Sequence, residues 1–94
     1  MQYTVRLDQD TCYSEYNLAL STQDSIEFIN GKGDHWTVDF NAGCPFASTH
    51  FDDSNPGTSN ITGPAGQKGR FKYKIVIQKP ADGPMTLDPI VIVK

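Results

Sequence analysis

Four side chains of this sequence could bind a soft metal: His35, Cys44, His50 and Met85. Their order along the chain (His, Cys, His, Met) is that of a blue-copper site, whose imidazoles, thiolate and weak thioether suit copper in both oxidation states. Their spacing is different, because Cys44 follows His35 by nine residues. A copper or other soft-metal site made of His35, Cys44 and His50 is therefore kept as the alternative to a metal-free protein.

The two cysteines, Cys12 and Cys44, form an even pair in a small chain. Such a pair indicates a disulfide in an exported protein and two free thiols in a reducing cytosol. On the chain-entropy account, closing this loop stabilises the fold by roughly 3.5 to 4 kcal/mol. No signal-peptide pattern is visible at the N-terminus. The protein is therefore exported or periplasmic if an upstream signal was removed, and cytoplasmic otherwise.

Catalytic motifs are missing from the sequence. Neither Gly-x-Ser-x-Gly nor His-Glu-x-x-His occurs, and no glycine-rich loop follows a strand and opens a helix. We expect a protein that is not an enzyme, with no catalytic residue and no cofactor.

Two further short motifs are weak. The run Asp52-Asp53-Ser54-Asn55 supplies the hard oxygens that calcium prefers, but it lacks the Asp-x-Asp-x-Asp-Gly pattern. The triplet Asn60-Ile61-Thr62 matches a glycosylation acceptor, and we interpret the match as chance.

Charge is divided unevenly along the chain. Residues 1–66 hold two cations and nine anions, whereas residues 67–94 hold six cations and two anions. Arg70, Lys72 and Lys74 fall on one face of a predicted strand, because alternate residues of a strand share a face. This stripe is either a basic face that discourages strand pairing or a contact for an acidic partner, which includes the acidic half of a second copy. The net charge of −3 argues against a nucleic-acid partner.

Strands are predicted where apolar and polar residues alternate, since that is the period of a half-buried strand. Residues 3–8, 25–28, 36–41 and 71–78 alternate in this way. Residues 90–93 are apolar on both faces, as expected of a strand covered on both sides. No segment has the caps and periodicity of a helix or the length of a membrane span.

The intervening segments are rich in turn residues. Asn, Gly and Asp at 30–34 predict a hairpin over 25–41. Residues 52–69 and 79–88 are predicted as two long loops, and residues 10–16 as one helical turn. Short strands with few helix signals indicate an all-β sandwich or barrel, in a single domain over residues 1–94.

Three segments in this order resemble the cupredoxin-like family of plastocyanin- and azurin-type domains. They are Asp24-Ser25-Ile26-Glu27-Phe28-Ile29-Asn30, Trp36-Thr37-Val38-Asp39-Phe40 and Gly69-Arg70-Phe71-Lys72-Tyr73. Residues 87–93 are similar to the closing strand of small bacterial proteins of this kind. The resemblance covers residues 20–94 and implies a Greek-key β-sandwich.

The same resemblance implies that the copper ligands are lost. Trp36 stands at the family's first histidine position and Ile75 at its cysteine position, and Met85 lies near the axial position. Trp36 would then fill the space of the imidazole and the metal. We therefore expect a metal-free binding or structural module that acts through its long loops and basic strand face. The expected partner is a protein, either another protein or a second copy of this chain, with no nucleic acid and no membrane insertion.

Overall fold

The computed structural model describes residues 1–7, 17–40, 43–79 and 83–94. Within these ranges the chain forms strands and no helix, so the all-β prediction is confirmed and none of the described segments is a helix able to cross a bilayer. The helical turn expected at 10–16 lies outside the described residues. The strands are β1 (Gln2–Arg6), β2 (Leu18–Leu20), β3 (Ser25–Ile29), β4 (His35–Asp39), β5 (His50–Asp52), β6 (Gly69–Lys72), β7 (Lys74–Lys79), β8 (Gly83–Leu87) and β9 (Ile90–Val93).

The strands are arranged in three sheets. β1 pairs with β3 in parallel, and β9 pairs with β2 in parallel and with β6 in antiparallel orientation. The third sheet is antiparallel in the order β5-β4-β7-β8. Inward-facing side chains of all three sheets form one core, which is consistent with a β-sandwich.

The alternation of apolar residues correctly identified the inward faces. Ile26 and Phe28 of β3 and Val38 of β4 are fully buried, and Trp36 is 3% exposed. The rings of Phe40 and Tyr73 stack with their centroids 4.9 Å apart. Burial of such large apolar side chains stabilises a fold by about 1.5 to 3 kcal/mol each. The packing of these inward faces therefore holds the sheets together.

The basic strand predicted over 71–78 is two strands. It is interrupted at Tyr73, whose backbone N–H donates to the carbonyl of Pro89 at 3.0 Å. β6 pairs with β9 and β7 pairs with β4, so the chain passes from one sheet to another at this buried tyrosine. The prediction that Arg70, Lys72 and Lys74 share one face of one strand is therefore wrong, because Lys74 belongs to a different sheet from the other two.

The predicted hairpin over 25–41 is also wrong. Among the described strands, β3 pairs with β1, whereas β4 pairs with β5 and β7. The side-chain oxygen of Asn30 accepts the backbone N–H groups of Lys32 at 3.0 Å and Asp34 at 3.3 Å, and Gly33 has a φ of 78°. Residues 30–34 therefore do form a turn, but this turn connects strands of two different sheets.

One of the two predicted loops contains a strand. β8 lies inside the predicted loop 79–88 and forms a hairpin with β7, so that prediction is wrong. Pro84 is tolerated there because β8 is the last strand of its sheet and its outer edge needs no donor.

The other predicted loop is confirmed. Residues 53–68 contain no strand, and a single bridge joins Ile61 to Glu27 of β3. Buried polar side chains hold this segment in place. The Oγ1 of Thr62 accepts the backbone N–H of Ile26 at 2.9 Å, and the amide of Asn60 donates to the carbonyl of Phe28 at 2.9 Å.

Candidate binding site

The larger candidate site is a groove on the outer face of the β2-β9-β6 sheet, with a volume of about 460 Å³. Ile90 of β9 lies opposite Lys72 of β6 in the strand register. Arg70 and Lys72 are both exposed, because the alternate residue Phe71 packs against the core. The groove is lined by Asn17, Arg70, Lys72, Asp88 and Ile90.

Two hydrogen bonds, one to a side chain and one between backbone groups, fix the end of this groove. The side-chain oxygen of Asn17 accepts the backbone N–H of Ile90 at 2.9 Å, which ties the residue before β2 to the first residue of β9. The bond between Tyr73 and Pro89 holds the corner of β6 and β7 against the same end of β9. Arg70, Lys72 and Ile90 of the groove therefore lie on regular strands, and Asn17 and Asp88 lie directly beside strand ends.

The lining of the groove suits an acidic ligand with an apolar neighbour. The guanidinium of Arg70 presents a planar fork of donors that matches a carboxylate or a phosphate, and Lys72 adds a second positive charge. Ile90 supplies apolar surface between the charges and the Asn17 side. Asp88 is the acidic residue among the described residues of the lining, and its carboxylate lowers the positive charge of the groove.

Lys74, the third residue of the predicted basic face, does not line this groove. It lies opposite Asp39 in the register of β7 and β4. The Asp39 carboxylate is hydrogen-bonded to His50, so Lys74 lies apart from the groove and outside that pair.

The residues of the alternative metal site do not converge. His35 opens β4, and His50 lies opposite Asp39 at the other end of that strand. Four residue steps of a strand separate the two ends, about 13 Å of backbone. Two imidazoles that bind one ion must each bring a nitrogen to about 2 Å from it. His35 and His50 therefore cannot share a metal in this arrangement.

Each histidine is instead hydrogen-bonded to carboxylates, His35 to one and His50 to two. The Nδ1 of His35 lies 2.6 Å from Oδ2 of Asp53. The Nδ1 of His50 lies 2.6 Å from Oδ1 of Asp39, and its Nε2 lies 3.0 Å from Oδ2 of Asp52. Hydrogen bonds to Asp39 and then to Asp52 raise the pKa of His50.

Cys44 is a half-buried free cysteine among the described residues. Its S–H donates to the carbonyl of Ser48 at 3.2 Å, and the backbone N–H of Phe46 donates to its sulfur at 3.4 Å. Burial raises the pKa of this thiol, so the thiolate that a metal needs is disfavoured. Cys12 lies outside the described residues, so the disulfide between Cys12 and Cys44 stays a prediction.

The carboxylates of the suggested calcium run are occupied by protein donors. Asp52 accepts the backbone N–H of Ser54 at 3.0 Å and its hydroxyl at 2.6 Å, in addition to His50. Asp53 accepts the backbone N–H of Trp36 at 3.2 Å. Within the described ranges no three His, Cys, Asp or Glu side chains form a group able to hold a metal ion.

Two other residues singled out from the sequence, Asn60 and Met85, contribute to the hydrogen bonding and packing of the fold. Asn60 is 8% exposed and its amide donates to the Phe28 carbonyl, so its nitrogen is not accessible to glycosylation in the folded chain. Met85 is half-buried, lies opposite Ile77 and packs against the core.

The groove residues Asn17, Asp88 and Ile90 were not identified from the sequence. They are brought to Arg70 and Lys72 by pairing between strands that are distant in the chain. Local alternation in the sequence contains no signal for such pairing.

In comparisons with known proteins, the chain matches no family model, no curated protein and no solved structure. The candidate site is therefore interpreted from its geometry and chemistry alone.

Proposed function

We propose that this chain is a non-catalytic, metal-free binding module that holds an acidic segment of a partner protein in the groove beside β6. The observation that supports this function is the placement of Arg70 and Lys72 on one exposed face over a groove of about 460 Å³. Arg70 binds a carboxylate of the partner, and Ile90 packs against an apolar side chain next to it. Rigid strands on both sides keep the entropic cost of binding low.

A protein partner suits the charge of the chain better than a nucleic acid. Two cations are among the described residues that line the groove, whereas the whole chain has a net charge of −3. Nucleic-acid affinity comes largely from many phosphate contacts, and two cations against a negative surface supply too few. An acidic peptide requires fewer contacts, because its carboxylates can be placed between apolar residues.

We propose further that the fold is a cupredoxin-like Greek-key sandwich without the family's copper ligands. The all-β architecture and the inward position of Trp36 at the start of β4 support this proposal. On this account the tryptophan fills the space of the first copper imidazole. The module then keeps the rigid scaffold of the family and presents a different binding surface.

The proposed function is tested with a fluorescein-labelled peptide of alternating Asp and Leu residues, followed by fluorescence anisotropy at low salt. We expect saturable binding that weakens as salt rises, since exposed charges are screened over about 10 Å at 0.1 M salt. Replacement of Arg70 or Lys72 by Glu should weaken binding by roughly tenfold, because the carboxylate then meets a like charge. The matched control is Lys32→Glu, which makes the same charge change in the exposed turn after β3.

The outcomes separate the partners. Equal losses in Arg70→Glu and Lys32→Glu would show general charge attraction and would overturn the proposed groove. Absence of peptide binding, combined with salt-sensitive dimers in sedimentation equilibrium that Arg70→Glu abolishes, would assign the groove to a second copy of the chain.

A further inference from the structure

The outer edge of β6 is a second surface that can bind a partner. β6 is the last strand in the order β2-β9-β6, so no described strand pairs with its outer side. Within the described ranges, no backbone hydrogen bond of a turn or loop reaches Arg70 or Lys72. A strand edge of this kind has backbone N–H and C=O groups that can pair with a further extended segment.

The hydrogen bonds of β9 show which of its residues face β6. In an antiparallel pair, residues alternate between those that bond to the neighbouring strand and those whose N–H and C=O point away from it. The N–H of Ile90 donates to the side chain of Asn17 at 2.9 Å. The N–H of Lys94, after β9, donates to the carbonyl of Leu20 at 2.9 Å. The even-numbered residues of β9 therefore face β2, and the odd-numbered ones face β6.

The basic residues of β6 are the ones whose backbone groups face outward. Phe71 lies opposite an odd-numbered residue of β9, so its backbone groups point toward β9. Tyr73 continues this alternation, because its N–H donates to the carbonyl of Pro89 just before β9. The N–H and C=O of Arg70 and Lys72 therefore point toward the free edge. Each of these residues offers one donor and one acceptor there, together with an exposed cationic side chain.

We propose that the free edge of β6 binds an acidic segment of a partner protein by strand addition, antiparallel to β6. The segment has the pattern acidic, apolar, acidic. Its two carboxylates lie opposite Arg70 and Lys72, and its middle residue lies opposite Phe71. This inference rests on the proposed function, because the acidic segment is the same one and the strand pairing states how its backbone is held. The apolar contact with Ile90 then comes from a residue of the partner outside this triplet.

The side chains of β6 select such a segment. Residues directly opposite each other in an antiparallel pair have Cβ atoms about 5 Å apart, so opposite charges attract and like charges repel. Pairing of β6 with β6 of a second copy would set the cations of Arg70 and Lys72 against one another, and such charges discourage edge-to-edge association. Phe71 is half-buried and packs against the core on the other face of β6. The middle residue of the segment therefore meets apolar surface.

Backbone N-methylation of a peptide tests strand addition without any change to the protein. The probe is the peptide Leu-Asp-Leu-Asp-Leu with an N-terminal fluorescein, followed by fluorescence anisotropy at low salt. In the antiparallel ladder its Asp N–H groups point toward β6 and the N–H groups of the following Leu residues point away. Methylation of both Asp nitrogens removes two hydrogen bonds and should weaken binding roughly tenfold or more. The matched control methylates the Leu nitrogens that follow each Asp, keeps every charge and should change the Kd by less than about twofold.

Amide hydrogen exchange measured by NMR reports on the same edge from the side of the protein. In the free chain we expect fast exchange at Arg70 and Lys72 and slower exchange at Phe71, whose N–H points toward β9. Saturating unmodified peptide should slow exchange at Arg70 and Lys72 by about tenfold or more, because both N–H groups then donate to the peptide. The control is Thr86 of β8, the last strand of another sheet, whose exchange rate should not change.

The outcomes separate strand addition from the proposed function. Equal losses for the two methylated peptides, or no loss for either, would overturn strand addition. A loss confined to the methylated Leu peptide would show parallel pairing and overturn the antiparallel arrangement. Unchanged exchange at Arg70 and Lys72 under saturating peptide would also overturn it. In each of these cases the unmodified peptide still binds and the proposed function stands, whereas absence of its binding overturns both.

Discussion

Asp39 and His50 face one another across the β4–β5 pair, with Nδ1 of His50 2.6 Å from Oδ1 of Asp39. The other ring nitrogen of His50 lies 3.0 Å from Oδ2 of Asp52. A neutral imidazole has one N–H and one acceptor nitrogen, so one carboxylate would face a lone pair. The protonated ring donates to both, which explains the raised pKa of His50.

This bridge makes stability depend on pH. Because the pKa of His50 is raised in the folded chain, the bridge contributes fully below the unfolded value near 6.5 and is lost as pH rises through the folded value. We expect His50→Gln to lower the free energy of unfolding by about 0.5 to 1 kcal/mol at pH 5.5, a modest value because the ring is half-exposed. At pH 9 the loss should be smaller.

Urea denaturation at the two pH values measures this difference. In an Asp39→Asn background the effect of His50→Gln at pH 5.5 should shrink, since one of the two acceptors is already neutral. An effect of His50→Gln that is the same at pH 5.5 and 9 would show that packing, and not charge, is responsible.

Asp52 contributes stability in a different pH range. The hydroxyl and backbone N–H of Ser54, together with His50, hold the pKa of Asp52 well below its usual range. Its contribution is present above the unfolded value of 3.8 and is lost as pH falls through the folded value. We expect Asp52→Asn to destabilise the fold by about 1 kcal/mol at pH 6 and by less at pH 2.5, measured by urea denaturation. Asp34→Asn is the matched charge control and should cost under about 0.5 kcal/mol at pH 6.

The hydroxyl of Thr62 satisfies a buried backbone group of β3. Its Oγ1 accepts the N–H of Ile26 at 2.9 Å and its O–H donates to the carbonyl of Gly63 at 2.8 Å. Thr62→Val keeps the shape but leaves the Ile26 N–H without this acceptor, so we expect a loss of about 1 to 3 kcal/mol in urea denaturation. Thr62→Ser keeps the hydroxyl and should cost less than Thr62→Val. A larger loss for Ser would show that the methyl group matters more than the hydrogen bond.

The sequence was informative where a rule acts between near neighbours. Alternation identified the inward faces of β1, β3, β4 and β7, because the strand period of two and burial act on the same residues. It also identified Trp36 as an inward side chain, which the structure confirms. The absence of helix signals correctly indicated an all-β chain within the described residues.

The sequence was misleading where partners are distant. The turn at 30–34 has the residues of a hairpin, yet β3 pairs with β1, because a turn fixes local direction and not the partner strand. The periodicity of 71–78 continues through Tyr73 while the strand changes sheets, so Arg70 and Lys72 separate from Lys74. Short strands such as β2 and β5, of three residues each, are too brief to show a period.

Gln23 is the one described residue other than glycine with a positive φ, at 78°. It lies in the turn before β3, where its N–H donates to the carbonyl of Ala65 at 2.8 Å, and its side chain is exposed. A left-handed conformation costs a residue with a Cβ about 1 to 2 kcal/mol, whereas glycine adopts it freely. Glycine also has more conformational freedom in the unfolded chain, which offsets part of this stabilisation.

We therefore expect Gln23→Gly to raise the free energy of unfolding by about 0.5 kcal/mol. The matched control is Gln67→Gly, an exposed position without positive φ, which should lower it by about 0.5 to 1 kcal/mol. Opposite signs in urea denaturation would confirm the strain at Gln23, and destabilisation by both substitutions would contradict it.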